Sequence, residues 1–284
     1  MKTIKSPINY NGNKTKIIDK LIDLFPSKIS VFADLFGGSG VVSLNTNAEH
    51  HIYNEIIPYI SQILEGIKSE EDIDVLVDKL KKEVTENNLN KVNKIAFEKY
   101  RDKYNRGERK DWINLYILMA FSFNNQFRFN SNHEYNSSFG HHKSCFGDTT
   151  ENKLRLAKDR LDKIDIVFTN KSFEDFDFSD FDGNDFVYLD PPYYGSIGNY
   201  NDGKRGFKGW NLELEEKMRE LCENLDKQGI RFALSNNLAV NTTLEEWAIK
   251  NGFSITYMDL DYNNSNYQKK NKVKDIEVVI RNYK

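Results

Sequence analysis

Apolar residues follow two different periods along this chain. Ile17, Ile18, Leu21, Ile22 and Phe25 recur at helical spacing, and Pro26 is expected to end that helix. Ser30–Phe36 is a short β-prone run that meets Gly37-Gly38-Ser39-Gly40, three glycines in four positions. Val41, Val42 and Leu44 begin the next helix. Ile52 and Tyr53 predict a second strand with Asn54 and Glu55 at its tip, and Ile56, Ile57, Ile60, Ile63 and Leu64 continue as a helix. Residues 70–123 are helical in pattern. Ile73, Val77 and Leu80 share one face, Ile95, Phe97 and Tyr100 alternate with basic residues, and Trp112–Phe123 is the most apolar run. Phe127, Phe129 and Tyr135 flank polar turn residues, which predicts a hairpin within 124–140.

The second half returns to strand–helix alternation. A helix over Glu151–Leu161 precedes a strand over Ile164–Phe168, and an acidic loop leads to the apolar run Phe186–Leu189. After a glycine-rich loop with Lys204, Arg205 and Lys208 come a helix over Leu212–Gln228, stopped by Gly229, and a strand over Ile230–Leu234. A helix over Thr243–Lys250 follows. Strands over Phe253–Leu260 and Asp275–Arg281 are expected to pair antiparallel across the polar loop Asn263–Lys274. The sum is an α/β fold, a seven-stranded sheet that is mostly parallel with one strand reversed. Residues 1–69 and 150–284 would form the sheet domain, and 70–149 a helical insertion carrying the hairpin.

Composition narrows the class. Of 284 residues, 39% are hydrophobic and 29% charged, and no apolar stretch is long enough to span a membrane. The cysteines, Cys145 and Cys222, are too few for a disulfide framework or a metal knuckle, which fits a reducing cytoplasm. His133, His141 and His142 near Cys145 match no common zinc spacing, so no metal is expected. The formal net charge of −3 argues against a generic nucleic-acid clamp, but the charge is segregated. Residues 81–110 carry ten Lys/Arg against five Asp/Glu, which suits either a solvated helix surface or a local face for DNA.

Chemistry concentrates at the strand ends. Asp190, Pro191, Pro192 and Tyr193 follow the buried run Phe186–Leu189, and ligands of open α/β sheets sit outside such carboxyl ends. A carboxylate and a proline carbonyl both accept hydrogen bonds, and an aromatic ring nearby can stack on a base. That set suits an exocyclic amine; the plainer alternative is a turn after a core strand, with Tyr193 and Tyr194 as ordinary packing. The glycine loop lacks the third glycine of a dinucleotide fingerprint and any Gly-Lys-Ser/Thr for phosphates, so a cofactor without pyrophosphate is favoured. Glu55, at the tip of the second strand, is placed to accept ribose hydroxyls.

Together these stretches resemble the Dam-like D12 class of DNA adenine-N6 methyltransferases. Asp190-Pro191-Pro192-Tyr193 is similar to the family's catalytic motif. Asp34-Leu35-Phe36-Gly37-Gly38-Ser39-Gly40 is similar to its S-adenosyl-L-methionine loop, with Gly37 where many members carry Cys. Asn9–Lys14, with Tyr10 and Lys14, resembles the N-terminal element that helps hold the same cofactor. The resemblance implies a Rossmann-like methyltransferase fold, cofactor contacts also from Ser172 and Phe173, and target recognition by the insert. Asn125, Arg128, Asn130, Phe139 and Gly140 align with the family's reading hairpin, and His141, His142 and Lys143 with the basic residues after it. Ser138 replaces the Pro of GATC-reading members, and the histidine pair replaces basic residues, a departure that puts GATC specificity, though not recognition as such, in question. The implied activity is methylation of a flipped adenine in a short duplex site by a monomer or weak dimer, with a restriction endonuclease for the same site as a partner. Cytosine-N4 methylation uses the same acceptor geometry. RNA or protein-glutamine methylation would favour Asn at 190, and a non-enzymatic DNA-binding module would leave both strand-end motifs unexplained.

Overall fold

Phe186–Leu189 organises the architecture. The computed structural model describes residues 3–10, 12–108, 111–194, 210–258 and 276–284. The expected loop after Tyr194 with its basic residues, and the Asn263–Lys274 loop, lie outside them. Phe186–Leu189 is a strand buried along its whole length. Its side chains part by strand periodicity: Phe186 and Tyr188 join Ile18, Leu21, Phe32 and Val41 on one face, while Val187 and Leu189 join Met218, Leu225 and Phe232 on the other. A strand dry on both faces needs helices on both, which is the α/β solution.

The elements in chain order are α1 (Ile18–Ile22), β1 (Val31–Asp34), α2 (Val41–Asn45), β2 (His50–Asn54), α3 (Pro58–Ser69), α4 (Ile73–Glu86), α5 (Lys94–Asn105), α6 (Trp112–Phe121), α7 (Asp148–Lys163), β3 (Ile166–Thr169), β4 (Phe186–Leu189), α8 (Leu212–Lys227), β5 (Arg231–Asn237), α9 (Leu244–Lys250), β6 (Ser254–Tyr257) and β7 (Glu277–Arg281). The sheet order is β3-β2-β1-β4-β5-β7-β6. β7 runs antiparallel to both β5 and β6, so it is the reversed strand of the Rossmann-like sheet expected from sequence. From β1 the chain builds outward to β2 on one side and later to β4 on the other. The carboxyl ends of β1 and β4 therefore flank the topological switch point.

Some boundaries differ from the sequence reading. The first helix stops at Ile22 rather than at Pro26, because Leu24 and Phe25 donate their N–H groups three residues back and tighten the turn. β5 runs on to Asn237, past Leu234, because antiparallel β7 pairs with Ser235, Asn236 and Asn237. α7 starts at Asp148, where Asp148 and Glu151 put negative charge in its first turn. The 124–140 segment is held by two isolated antiparallel bridges, Phe129–Tyr135 and Ser122–Phe139, instead of continuous strands. Side chains replace the ladder there: Asn130 accepts the N–H groups of Asn132 and Glu134, and Ser137 donates to the Gln126 carbonyl. Among the described residues, the apolar side chains of 70–149 share a core with the sheet elements. Leu80, Phe97, Tyr116 and Tyr135 lie in one apolar cluster with Ile63 and Leu64 of α3, Leu154 of α7 and Tyr53 of β2.

Candidate active site

The tip of β1 is built by close approach. Gly38 and Gly40 hold φ of +51° and +74°, a left-handed conformation that glycine adopts without cost. Gly37 is required for another reason. A Cβ there would stand 2.3 Å from the Tyr53 ring, which is fully buried and donates its hydroxyl to the Gly38 carbonyl at 2.6 Å. Tyr53 thus occupies the volume that a Cys at position 37 would need. Ser6 donates its hydroxyl to the Ser39 carbonyl and ties the N-terminal segment to the same loop.

Asn54 locks the three neighbouring strand ends. Its amide donates to the carbonyls of Leu35 and Lys171 at 3.0 Å, and its side-chain oxygen accepts from Thr169 and from the Lys171 N–H. Next to it, Glu55 accepts the Gly38 and Ile57 N–H groups, one on each carboxylate oxygen, both at 2.9 Å. Burial pushes its carboxyl up to about 7, against those two hydrogen bonds. Asp34, 1% exposed, accepts the Ser43 hydroxyl on Oδ2 at 2.7 Å, while Oδ1 is buried with no hydrogen-bond partner. Its carboxyl also rises to about 7, first through burial and then through the charges of Asp190 and Glu55.

Opposite stands the tip of β4. Lys14 enters from a short helical turn that Asn13 caps, and is 5% exposed. Its ammonium lies 2.8 Å from Asp190 Oδ1, 3.3 Å from Glu277 Oε1 of β7, and donates to the Tyr193 hydroxyl at 2.8 Å. Burial raises the Asp190 carboxyl to about 6, with Lys14 holding it lower than burial alone would. Both tips open into one cavity of about 620 Å³, the size of a small-molecule site. Tyr10, Lys14, Asp34, Phe36, Gly37, Gly38, Ser39, Glu55, Ser172, Phe173, Asp190, Pro191, Pro192 and Tyr193 all line it. Gly40 lies behind it, starting α2 over Leu64.

Phe36, Phe173 and Trp210 form an aromatic wall, with pairwise ring centroids 5.5–5.7 Å apart. Such a wall offers a flat apolar surface for a heterocycle. Trp210 is fixed by its Nε1–H, donated to Glu215 at 2.7 Å, and Glu215 in turn accepts Asn241.

The recognition candidates sit elsewhere, on the bridged hairpin. Arg128, His141, His142 and Lys143 are exposed. Asn125 instead donates its amide to the Met119 and Ala120 carbonyls, closing the end of α6, and Asn130 donates its amide to Glu134. The basic run is partly engaged in surface ion pairs, Lys81 with Glu151 and Lys94 with Glu98. Asn9 donates to the Asn124 carbonyl at 2.5 Å, which links the cavity's N-terminal wall to the hairpin. Among the described residues no group of three or more His, Cys, Asp or Glu could hold a metal, and no helix is long and apolar enough to cross a membrane.

With this geometry in view, residues 10–264 match the profile of the D12 class N6 adenine-specific DNA methyltransferases. The chain belongs to that family. It is 39% identical to Modification methylase StsI of Streptococcus sanguinis and 38% identical to Type II methyltransferase M.FokI of Planomicrobium okeanokoites, each over 99% of this chain and 43% of that protein. It is also 26% identical to a DNA adenine methylase of Haemophilus influenzae, over 95% of this chain and 91% of that protein. The chain thus spans less than half the length of the first two relatives.

Three site residues escaped the sequence reading. Trp210 follows a polar loop and shows no periodicity. Glu277 breaks the apolar run of β7, and an acid beside Val278, Val279 and Ile280 was the available signal. Tyr53 read as an ordinary strand residue, and its pairing with Gly37 is visible only in three dimensions.

Proposed function

We propose that this chain is a site-specific DNA adenine-N6 methyltransferase acting on double-stranded DNA, with S-adenosyl-L-methionine as methyl donor. The observation that carries the reading is the meeting of Asp190–Tyr193 and the glycine loop with Glu55 in a single cavity. The chain's residues fit that donor. A carboxylate has about four lone-pair sites, so Glu55 keeps acceptor capacity for ribose hydroxyls after binding two N–H groups. The orphan Oδ1 of Asp34 suits a cationic group, and Phe36, Phe173 and Trp210 suit a purine, with Ser172 beside them.

When bound, S-adenosyl-L-methionine supplies a methyl on a sulfonium; the C–S bond breaks, an N–C bond forms and the amine releases one proton. Adenine N6 is a poor nucleophile because its lone pair is delocalised into the ring. Asp190 and the Pro191 carbonyl accept its two N–H bonds, favour the tetrahedral amine and stabilise the positive charge growing on nitrogen. Asp190, as the acceptor of an amine N–H, is the group that receives the released proton in this reading. Tyr193 offers its ring to the base. Adenine N6 is out of reach inside a duplex, so the base is flipped into the cavity. Arg128, exposed on the hairpin, reads or orients on a base pair. One relative is named a modification methylase and another a Type II methyltransferase, which supports a cognate restriction endonuclease acting on the same site.

The test is incubation with labelled S-adenosyl-L-methionine and random duplex DNA, followed by mapping of the modified base and its neighbours. N6-methyladenine in one sequence context is expected; N4-methylcytosine would select the other reading. Asp190→Ala should keep cofactor binding and lose most turnover, and full activity in it would end the mechanism. Arg128→Ala should bind all duplexes weakly and discriminate poorly, and unchanged selectivity would remove it from base reading.

A further inference from the structure

The acceptor site holds a second carboxylate that the reaction as described does not use. Glu277 begins β7, is followed by three fully buried apolar residues, and points its Oε1 at the Lys14 ammonium, 3.3 Å away. That oxygen is buried and has no hydrogen-bond partner. A buried carboxylate so weakly tied is a poor stabilising device, since an apolar side chain continuing β7 would avoid its desolvation.

Charge explains its presence. An ammonium has three N–H groups, and Lys14 directs its own at Asp190, at the Tyr193 hydroxyl and toward the Gly12 carbonyl and Glu277. With Asp190 alone, the pair would be neutral, and the acceptor would offer no net charge to a cation. With Glu277 the cluster carries −1, matching the positive charge that methyl transfer brings to the amine nitrogen. The ammonium engages Asp190 through Oδ1, and the Tyr193 hydroxyl also hydrogen-bonds to that carboxylate, so both neighbours orient it.

We propose that Glu277 is a positioning residue of the methyl-transfer site, acting through Lys14 to set the charge and orientation of the Asp190 carboxylate. The proposal rests on Asp190 being the amine acceptor. The charged and titratable groups facing Asp190 are Lys14 from the N-terminal element, Tyr188 of β4, Tyr193 after it, Asp34 of β1 and Glu277 of β7. Glu277 raises the Asp190 carboxyl and Lys14 lowers it, in keeping with the geometry.

The experiment is single-turnover methylation of unmethylated plasmid DNA across pH 5–9 by the full chain and its Glu277→Gln, Glu277→Asp and Asp190→Asn variants. For Glu277→Gln the plateau rate should fall about tenfold or more, and the acid limb should move down by about one pH unit, because a like charge beside Asp190 is gone. Cofactor affinity and thermal stability should stay near wild type. Glu277→Asp should recover most of the rate and, if the Gln variant does not fold, show by itself an acid limb displaced from that of wild type. A Gln variant with wild-type plateau and unmoved limb, or one changed only in melting temperature, overturns the proposal while leaving the acceptor reading intact, provided Asp190→Asn is inactive. An Asp190→Asn variant with the full wild-type rate overturns both.

Discussion

Gly37→Ala isolates one contact that decides how the glycine loop is built. The new Cβ would sit 2.3, 2.6 and 2.8 Å from three carbons of the Tyr53 ring, where ordinary contact begins at 3.4 Å. The ring would have to retreat by roughly 1 Å in an interior packed at crystal density. Retreat is resisted: the ring is fully buried, lies 5.6 Å from the Phe168 ring and donates its hydroxyl to Gly38. Overpacking of this kind costs about 1–3 kcal/mol, and loss of the hydroxyl's hydrogen bond adds about 1 kcal/mol. The expected loss is therefore roughly 2–4 kcal/mol, measured as a lower urea midpoint at unchanged slope. Because Gly37 has no positive φ, the backbone itself tolerates a side chain. The double variant Gly37→Ala/Tyr53→Leu should consequently be less destabilised than the two single losses added together. A Gly37→Ala protein as stable as wild type, or strictly additive losses, would refute the reasoning.

Two further outcomes follow from the cavity's charge and its aromatic wall. Asp34 titrates at about 7 in the fold against 3.8 as a free side chain. The native state binds the extra proton between those values, so stability is full below about pH 4 and is lost as pH rises through 7. At pH 8 this costs roughly 4 kcal/mol, so Asp34→Asn should melt higher than wild type at pH 8 and close to it at pH 4; equal melting at pH 8 would contradict the assignment. Trp210 lines the cavity, whereas Trp112 and Trp247 do not. Adding S-adenosyl-L-methionine should therefore change tryptophan emission, and Trp210→Phe should abolish the change; a signal that persists in the variant would place the cofactor elsewhere.

Much of the fold was legible because its strands are dry on both faces and its motifs fall where strands end. Phe186–Leu189 could be read as a buried strand, and Asp190 and the glycine loop as neighbouring tips, from apolar runs broken by Pro and Gly. The hairpin was only partly legible. Its aromatics predicted the turn, but Asn130 and Ser137 satisfy the backbone through side chains, so no ladder forms over most of it. Asn125 was legible only as a residue aligned with the reading hairpin; that its amide also closes α6 depends on where that helix ends.

By itself the sequence determined the period of each element, the order of the motifs and the kinds of group available at the strand tips, because burial and backbone chemistry act locally. Only the tertiary structure decided which groups face one another. β7 enters the sheet beside β5, and so carries Glu277 from the far end of the chain to Lys14 near its start. Tyr53 fills the space that makes Gly37 obligatory. Ion pairing and steric exclusion depend on distance through space, and separation along the chain does not fix that distance.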